Sequence, residues 1–378
     1  MAAVTDLRDI PTPAALVELD KLARNAAWMS QRAHELGVRL RPHVKTHKTI
    51  ECGKIQVAGH FGGVTVSTLV EAKAFADAGF RDITWAVPAA IGRLAQAFEL
   101  AKRVDRFTVL VDHEVTLAAL EQCASERQQS MDMLLKIDCG NHRSGVDPTG
   151  DASIALATRM SRSARLRFAG VLAHAGHCYG CRSRQQAGWV AKQERDVAVG
   201  FADRLRRAGI LVGEVSIGST PTMRAVDALQ GVTEIRPGNY VFFDAFQVAI
   251  GSCVLEDVAF SVLTSVVSSH PDRDSLVIDA GALALSKDEG ARHVDPDCGY
   301  GVLLTADGRT RYENLRLLAL TQEHGVVRGG ANLVRALRPG QRVRVVPNHS
   351  CLAAACFERY YGIRDGRIVT EWRPARGW

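Results

Sequence analysis

The sequence predicts an α/β protein: a (β/α)8 barrel of the TIM-like kind, followed by a mostly β second domain. Three observations carry that prediction. From about residue 20 to about residue 255, strand-like and helix-like segments alternate in units of about 25 to 35 residues, the length of a βαβ repeat. Roughly eight such units follow one another, and alternation at that count points to a closed parallel barrel. Beyond about residue 255 the texture changes to short β-rich runs joined by Gly, Asp and Pro turns. An open doubly wound sheet is the alternative, and the lack of a G-x-G-x-x-G opening a helix after the first strand argues against it.

The elements follow in order. "LDKLARNAAWMSQRAHELG" has helical periodicity closed by Gly37. "GVTVST" reads as a short buried strand and leads into the helix "LVEAKAFADAG". "DITWAVP", "RFTVLVD", "MLLKIDCG", "FAGVLAHAG" and "GEVSIGST" read as further strands, with helical segments between them. "VTEIRPGNYVF" closes the series. "AFSVLTSVVSSHP", "DSLVIDAGALALS", "RVRVVPNHSC" and "RIVTEW" form the β-rich part. The early strand "AALVELD" has no place in the barrel count and is expected to return to that part. The expected division is a barrel over residues 20–255 and a β-rich domain from residues 1–19 with 256–378.

Composition narrows the function classes. At 378 residues the chain exceeds the usual single-domain size. With 47% hydrophobic and 23% charged residues it reads as an ordinary globular protein. The net charge of +6 is spread out, with no basic arm and only 6% aromatics, so no nucleic-acid partner is expected. No apolar run is long enough to span a bilayer, so no membrane association is expected. The nine cysteines, without a secretory leader before them, read as reduced thiols of a cytoplasmic protein. Cys178 and Cys181 form a CxxC, but no second pair completes a structural zinc site.

Functional groups of a barrel collect at the C-terminal ends of its strands. At the first such end, "RPHVKTHK" places Lys45 among His43, His47 and Lys48. Crowded cations disfavour one another's protonated forms, and a neutral lysine is a nucleophile. A solvated basic loop explains the same residues. "GSTPT" brings Gly218, Ser219, Thr220 and Thr222 to another strand end, where backbone N–H groups and hydroxyls could cradle a phosphate. Gly238, Asn239 and Tyr240 in "PGNY" offer a second close approach; two ordinary tight turns are equally compatible. Arg143 suits an anionic partner, and His174 could lie against a flat ring. Tyr179, with His177 and Cys178, sits on a loop that could reach a substrate. In "PNHSC", an extended backbone would point His349 and Cys351 to one face, an imidazole–thiolate pair able to form an open metal site.

Taken in order, "RPHVKTHK", "KIDCGNHRSGV", "LAHAG", "GSTPT", "EIRPGNYVFFD", "QEHG" and "PNHSC" resemble the D-serine dehydratase and D-threonine aldolase family. These are pyridoxal-phosphate enzymes of the alanine-racemase-like fold. The likeness runs from about Pro11 to the final "RGW". It implies a barrel plus β domain, acting as a homodimer on small D-amino acids. It implies that Lys45 carries the cofactor covalently, that Arg143 faces its phenolic oxygen, and that His174 stacks near its pyridine ring. Gly218 to Thr222, with Gly238 to Tyr240, would hold the phosphate. His349 and Cys351 would bind a divalent metal: zinc, manganese or magnesium.

The implied reaction is dehydration of a D-3-hydroxy amino acid, D-threo-3-hydroxyaspartate or D-serine, to a 2-oxo acid and ammonia. Lys45, His174 and Tyr179 are the catalytic candidates. The alternative is aldol cleavage to glycine and an aldehyde. Family aldolases tend to carry a histidine some six residues beyond the position of His174, whereas "HAGHCYGC" has His177 early and Tyr179 nearby. An amino-acid racemase or a non-catalytic carrier of the cofactor is a remoter reading. Arg182 or Arg184 could receive a second substrate carboxylate.

Overall fold

The structure is a computed structural model, and it describes residues 6–378. Of the N-terminal segment expected in the β-rich domain, residues 1–5 lie outside the described residues. The chain divides into two compact units, Met1–Ala27 with Asn239–Pro374, and Trp28–Gly238 with Ala375–Trp378. The first division falls inside helix α1 (Leu19–Glu35). The second falls between Gly238 and Asn239, so Asn239 and Tyr240 belong to the β-rich unit.

In the barrel unit, eight parallel strands alternate with helices. The strands are β2 (Arg39–Leu40), β3 (Val64–Val66), β4 (Asp82–Pro88), β5 (Arg106–Val111), β6 (Met131–Lys136), β7 (Leu166–Leu172), β8 (Glu214–Ile217) and β9 (Glu234–Ile235). The helices are α2 (Ile50–Val57), α3 (Leu69–Asp77), α4 (Leu94–Ala101), α5 (Glu114–Arg127), α6 (Asp151–Ser161), α7 (Arg184–Arg207) and α8 (Thr220–Ala225). The sheet runs β2-β9-β8-β7-β6-β5-β4-β3. It closes just past β2, where the Thr65 N–H donates to the Pro42 carbonyl at 2.9 Å and His43 bridges Thr65 in parallel. Strand β6 is buried along its whole length, as a parallel strand covered on both faces must be.

The N-terminal end of this barrel holds a buried ion-pair network. Arg41 reaches Glu234 at 2.7 Å and Asp82 at 2.6 Å, while Arg106 reaches Asp132 and Glu214 at 2.5 Å each. Each charge is paired, which is what lets it stay in a low-dielectric interior.

The β-rich unit contains β1 (Ala14–Glu18), β10 (Phe260–His270), β11 (Ser275–Ile278), β12 (Gly301–Thr305), β13 (Leu315–Leu320), β14 (Gly325–Gly329), β15 (Arg342–Pro347), β16 (Tyr360–Arg364) and β17 (Arg367–Trp372). Its helices are short: α9 (Ala245–Ala249), α10 (Ala282–Leu285), α11 (Ala331–Ala336) and α12 (Ser350–Ala355). The sheet order is β13-β14-β11-β10-β1-β16-β17, with β15 pairing both β10 and β12. Strand β1 does return to this sheet, antiparallel to β10 and parallel to β16. The rings of Phe242, Phe260 and Tyr360 meet in its core, with centroids 5.3 to 6.2 Å apart. Among the described residues, no helix is long and apolar enough to cross a membrane.

Candidate active site

Hydrogen bonds on both sides carry the chain beyond β2, the His43 N–H donating to the Pro237 carbonyl at 3.0 Å. The backbone then turns through a single 3-10 turn, Val44–Thr46, whose entry is capped by the His43 ring at 3.4 Å from the Lys45 N–H. Val44 and Thr46 point inward and Lys45 is left exposed at the C-terminal end of the barrel. The expected basic patch dissolves. His47 is buried, its Nε2 bonded to Gln56 at 2.8 Å and its Nδ1 accepting from the Thr49 N–H at 3.0 Å; burial pushes its pKa down to about 4. Burial, and then the Lys45 charge, hold His43 well below the usual histidine range. Lys48 is paired with buried Glu71 at 3.0 Å. Of the four residues, only Lys45 presents an exposed side chain.

The loop after β6 carries Arg143. The Asp138 carboxylate accepts the N–H groups of Gly140, Asn141 and His142 at 3.0 to 3.1 Å, and Val146 rejoins the sheet opposite Ile137. Gly145 closes the loop at φ +109°, where an added Cβ would lie 2.5 Å from the Ile137 backbone. Arg143 sits exposed near the tip.

His174 follows β7. Burial comes first, then the charges of Lys45, Arg143, Arg236 and Lys136, and together they drive its pKa well below the usual range. The imidazole is therefore neutral at physiological pH. Lys136, at the end of β6, donates to the Ile137 carbonyl at 2.9 Å, and burial lowers its pKa to about 8. Arg236 donates to the Ala173 carbonyl at 2.6 Å and to the Ser216 hydroxyl. Glu194, from the middle of α7, is fully buried; burial raises its pKa while Gly218, Ala175, Arg236 and Lys136 act against that rise.

The hydroxyls of Ser219 and Thr222 serve the turn itself. They form a capping box at the start of α8, with the Ser219 N–H donating to the Thr222 hydroxyl at 2.9 Å and the Thr222 N–H facing the Ser219 hydroxyl at 3.5 Å. Thr220 is buried beside them. Gly238 passes so close to the lysine turn that an added Cβ would lie 2.6 Å from the His43 carbonyl oxygen. Tyr179 lies in a short 3-10 turn, Gly176–Gly180, and its ring packs on the apolar cluster of Cys178, Cys181 and Ala187.

In the β-rich unit, the backbone around His349 is not the continuous strand expected. Strand β15 ends at Pro347, His349 stands at the N-cap position of α12 without a side-chain capping bond, and Cys351 lies in the first turn of that helix. A strand-to-helix turn, not a β face, brings imidazole and sulfur together. Burial disfavours the His349 cation, but the Cys351 sulfur, the Asp288 carboxylate and Asp244 outweigh it and push the pKa up to about 11. The hydrogen bond to His349 is the main cause that holds the Asp288 carboxyl below its ordinary range. Buried Asp244 braces the turn from behind, accepting from the Ser350 N–H at 3.0 Å and the Asn239 amide at 2.8 Å. That amide also approaches the Cys351 sulfur at 3.7 Å. Tyr240, next in the chain, is fully buried. Among the described residues, no group of three or more His, Cys, Asp or Glu side chains forms a metal cluster.

Sequence comparison places these residues in a lineage. Residues 17–245 match the family model described as "Alanine racemase, N-terminal domain", and residues 259–363 match "Putative serine dehydratase domain". The chain is 38% identical to a D-threo-3-hydroxyaspartate dehydratase of Delftia sp. strain HT23, over 98% of this chain and 99% of that one. The chain belongs to the D-serine dehydratase and D-threonine aldolase family. A D-serine dehydratase of the same family from Dictyostelium discoideum is 36% identical over 99% of this chain and 98% of that one. A solved structure of a D-threo-3-hydroxyaspartate dehydratase, a cysteine-to-alanine variant described as the metal-free form, superposes with a TM-score of 0.93 at 38% identity, covering 99% and 100% of the two chains.

Five residues beside the candidate groups, three in the barrel unit and two in the β-rich unit, were missed from sequence. Lys136 and Arg236 lie within quoted strand ends, "MLLKIDCG" and "VTEIRPGNYVF", and strand-end position alone could have flagged them. Asp244 follows "YVFF" and gave a weaker signal. Glu194 in mid-helix and Asp288 in a loop gave none, because only the folded chain brings them to their partners.

Proposed function

We propose that this chain is a pyridoxal-phosphate- and divalent-metal-dependent lyase that dehydrates D-3-hydroxy amino acids, D-threo-3-hydroxyaspartate or D-serine, to a 2-oxo acid and ammonia. The observation that carries the proposal is Lys45: one exposed amine at a barrel strand end, beside the neutral imidazole of His43 and within the electrostatic reach of His174.

The residues at this end of the barrel fit the cofactor. Lys45, Arg143, Lys136 and Arg236 give an excess of positive charge suited to a phosphate ester and a phenolate, and the Gly238 backbone approaches where no side chain fits. Lys45 would hold the cofactor covalently, with Arg143 toward its phenolic oxygen, His174 beside its ring, and the segments 218–222 and 238–240 toward its phosphate. Bound there, it supplies an electron sink for charge developing at the substrate's Cα. His349 and Cys351 fit a divalent cation of borderline softness, so zinc suits the pair better than manganese or magnesium. Two protein ligands leave positions for water and substrate, and a cation there supplies Lewis-acid polarisation of the 3-hydroxyl.

The chain's own groups then divide the work. The Lys45 amine at Nζ would be the group placed to take the substrate's α-proton. His174 stays neutral and so adds no positive charge beside the ring. Asp288 holds His349 by Nδ1, leaving Nε2 for the cation. The substrate's Cα–H and Cβ–O bonds break, one water leaves, and one water is consumed in releasing the 2-oxo acid and ammonium.

The test is product analysis with D-threo-3-hydroxyaspartate, D-serine and D-threonine, with and without chelator. Oxaloacetate or pyruvate in step with ammonia, lost on chelation, is the expected result. Glycine and an aldehyde as main products would overturn the dehydratase reading.

A further inference from the structure

The pairing of β7 with β8 runs out at Leu172 and Ser216, with one further bond from the Ala173 N–H to the Ser216 carbonyl at 3.0 Å. Beyond that point the two strand ends diverge, one into the turn that follows His174 and the other into the 218–222 turn. The N–H groups that would come next in this ladder belong to Ala175 and Gly218. Both donate to a single oxygen, Oε1 of Glu194, at 2.9 and 3.1 Å. Glu194 comes from α7, which lies between the two strands in sequence, and its side chain is fully buried. A helix side chain thus continues the ladder where the backbones can no longer reach each other. Its other oxygen, Oε2, has no hydrogen-bond partner. What holds the carboxylate in place is therefore the pair of N–H groups, with Lys136 and Arg236 as the nearby positive charges. A second link joins the same two loops further out, where the Cys178 sulfur meets the Ser219 hydroxyl at 3.1 Å.

We propose that Glu194 is a positioning residue that fixes the spacing between the His174 turn and the 218–222 turn, and so sets how tightly the pocket discriminates pyridoxal phosphate from pyridoxal. The proposal rests on the cofactor reading above. The His174 turn would face the ring and the 218–222 turn the phosphate, so their spacing matters most for a ligand that must engage both. Pyridoxal engages one. The requirement is for an acceptor oxygen at one point, and the negative charge is secondary. Glutamine offers that oxygen; leucine leaves two buried N–H groups unmet, and aspartate is one methylene too short to reach them.

The experiment compares metal-loaded wild-type apoprotein with Glu194→Gln, Glu194→Leu and Glu194→Asp. Binding of pyridoxal phosphate and of pyridoxal is titrated by protein fluorescence, with far-UV circular dichroism and thermal unfolding alongside. Glu194→Gln should bind both ligands within about threefold of wild type, because its amide oxygen restores the acceptor. Glu194→Leu should lose about tenfold or more in affinity for the phosphate form and less than about threefold for pyridoxal. If the leucine variant does not fold, Glu194→Asp carries the same expectation. Equal losses for the two ligands, or a Gln variant as impaired as Leu, overturn the proposal. Wild type that binds neither ligand overturns the cofactor reading as well. Wild type that binds and discriminates, beside a Leu or Asp variant that does so equally, overturns this proposal alone.

Discussion

The Nδ1 of His349 lies 3.2 Å from the Asp288 carboxylate, so this contact orients the imidazole of the proposed metal ligand. A carboxylate behind a ligating histidine fixes its tautomer and raises its basicity. Replacing Asp288 with Asn should weaken zinc or manganese binding by about 10- to 100-fold, read by competition with a chromophoric chelator. Unchanged affinity would mean that another group orients the ring.

As the proposed metal ligand, the same histidine would make metal binding pH-dependent. In the metal-free protein the Cys351 sulfur and Asp288 outweigh burial and keep His349 protonated up to about pH 11. A metal must displace that proton. Apparent affinity should therefore rise with pH, by about tenfold per unit between roughly pH 7 and 9, with about one proton released from His349 per ion bound. A flat profile would contradict this.

Removing Lys45 should leave the protein folded. Its side chain is exposed, whereas Val44 and Thr46 on either side carry the packing. Lys45→Ala should change unfolding free energy by less than about 0.5 kcal/mol. It should also abolish both turnover and the visible absorbance of the lysine-bound cofactor. Retention of that absorbance would move the covalent role elsewhere.

Buried neutral histidines make the fold acid-sensitive. The His47 pKa is depressed to about 4 in the folded chain, so below about pH 6.5 the unfolded chain takes up a proton that the folded one does not. The stability present above that pH is lost as pH falls toward 4, and is constant below. At pH 5 the loss from His47 is about 2 kcal/mol. His43 and His174 are shifted in the same direction. Urea unfolding at pH 7 and pH 5 measures the sum, and His47→Gln should flatten the slope between them.

The ion pairs at the other end of the barrel give a stability prediction. Arg41→Met leaves Glu234 and Asp82 with a missing partner, Glu234 being fully buried. The cost should be about 3–5 kcal/mol in chemical denaturation. Replacing all three with apolar residues of similar volume should recover part of it, because each desolvated charge is then gone.

The barrel was legible in the sequence because strand and helix periodicities alternate in "DITWAVP", "RFTVLVD" and their helical neighbours with little tertiary override. The β-rich unit was legible in its texture, and so was the return of β1. Lys45, His349 and Cys351 stood out because each lies in a short, chemically dense motif. The turn that brings His349 and Cys351 together was misread, since H-x-C spacing fits both a strand face and a helix entry. The electrostatics were also misread. A run of two histidines and two lysines looks basic, but burial neutralises both imidazoles and Glu71 pairs with Lys48. Glu194 and Asp288 stayed silent, because a hydrogen bond across the fold leaves no trace in local pattern.

Among the described residues strand β1 precedes every other strand in sequence, yet it sits inside its sheet between β10 and β16. During translation it must wait for Phe260 to emerge before it meets one neighbour and for Tyr360 before it meets the other. Strands β2 to β9 are all made after β1 and before Phe260, so the lysine turn and its barrel can close while β1 is still unpaired. Assembly is thereby put in order by the ribosome. The residues proposed to anchor the organic cofactor come early and those proposed to hold the metal come late, and in the interval β1 is an apolar strand with both edges open to wrong pairing.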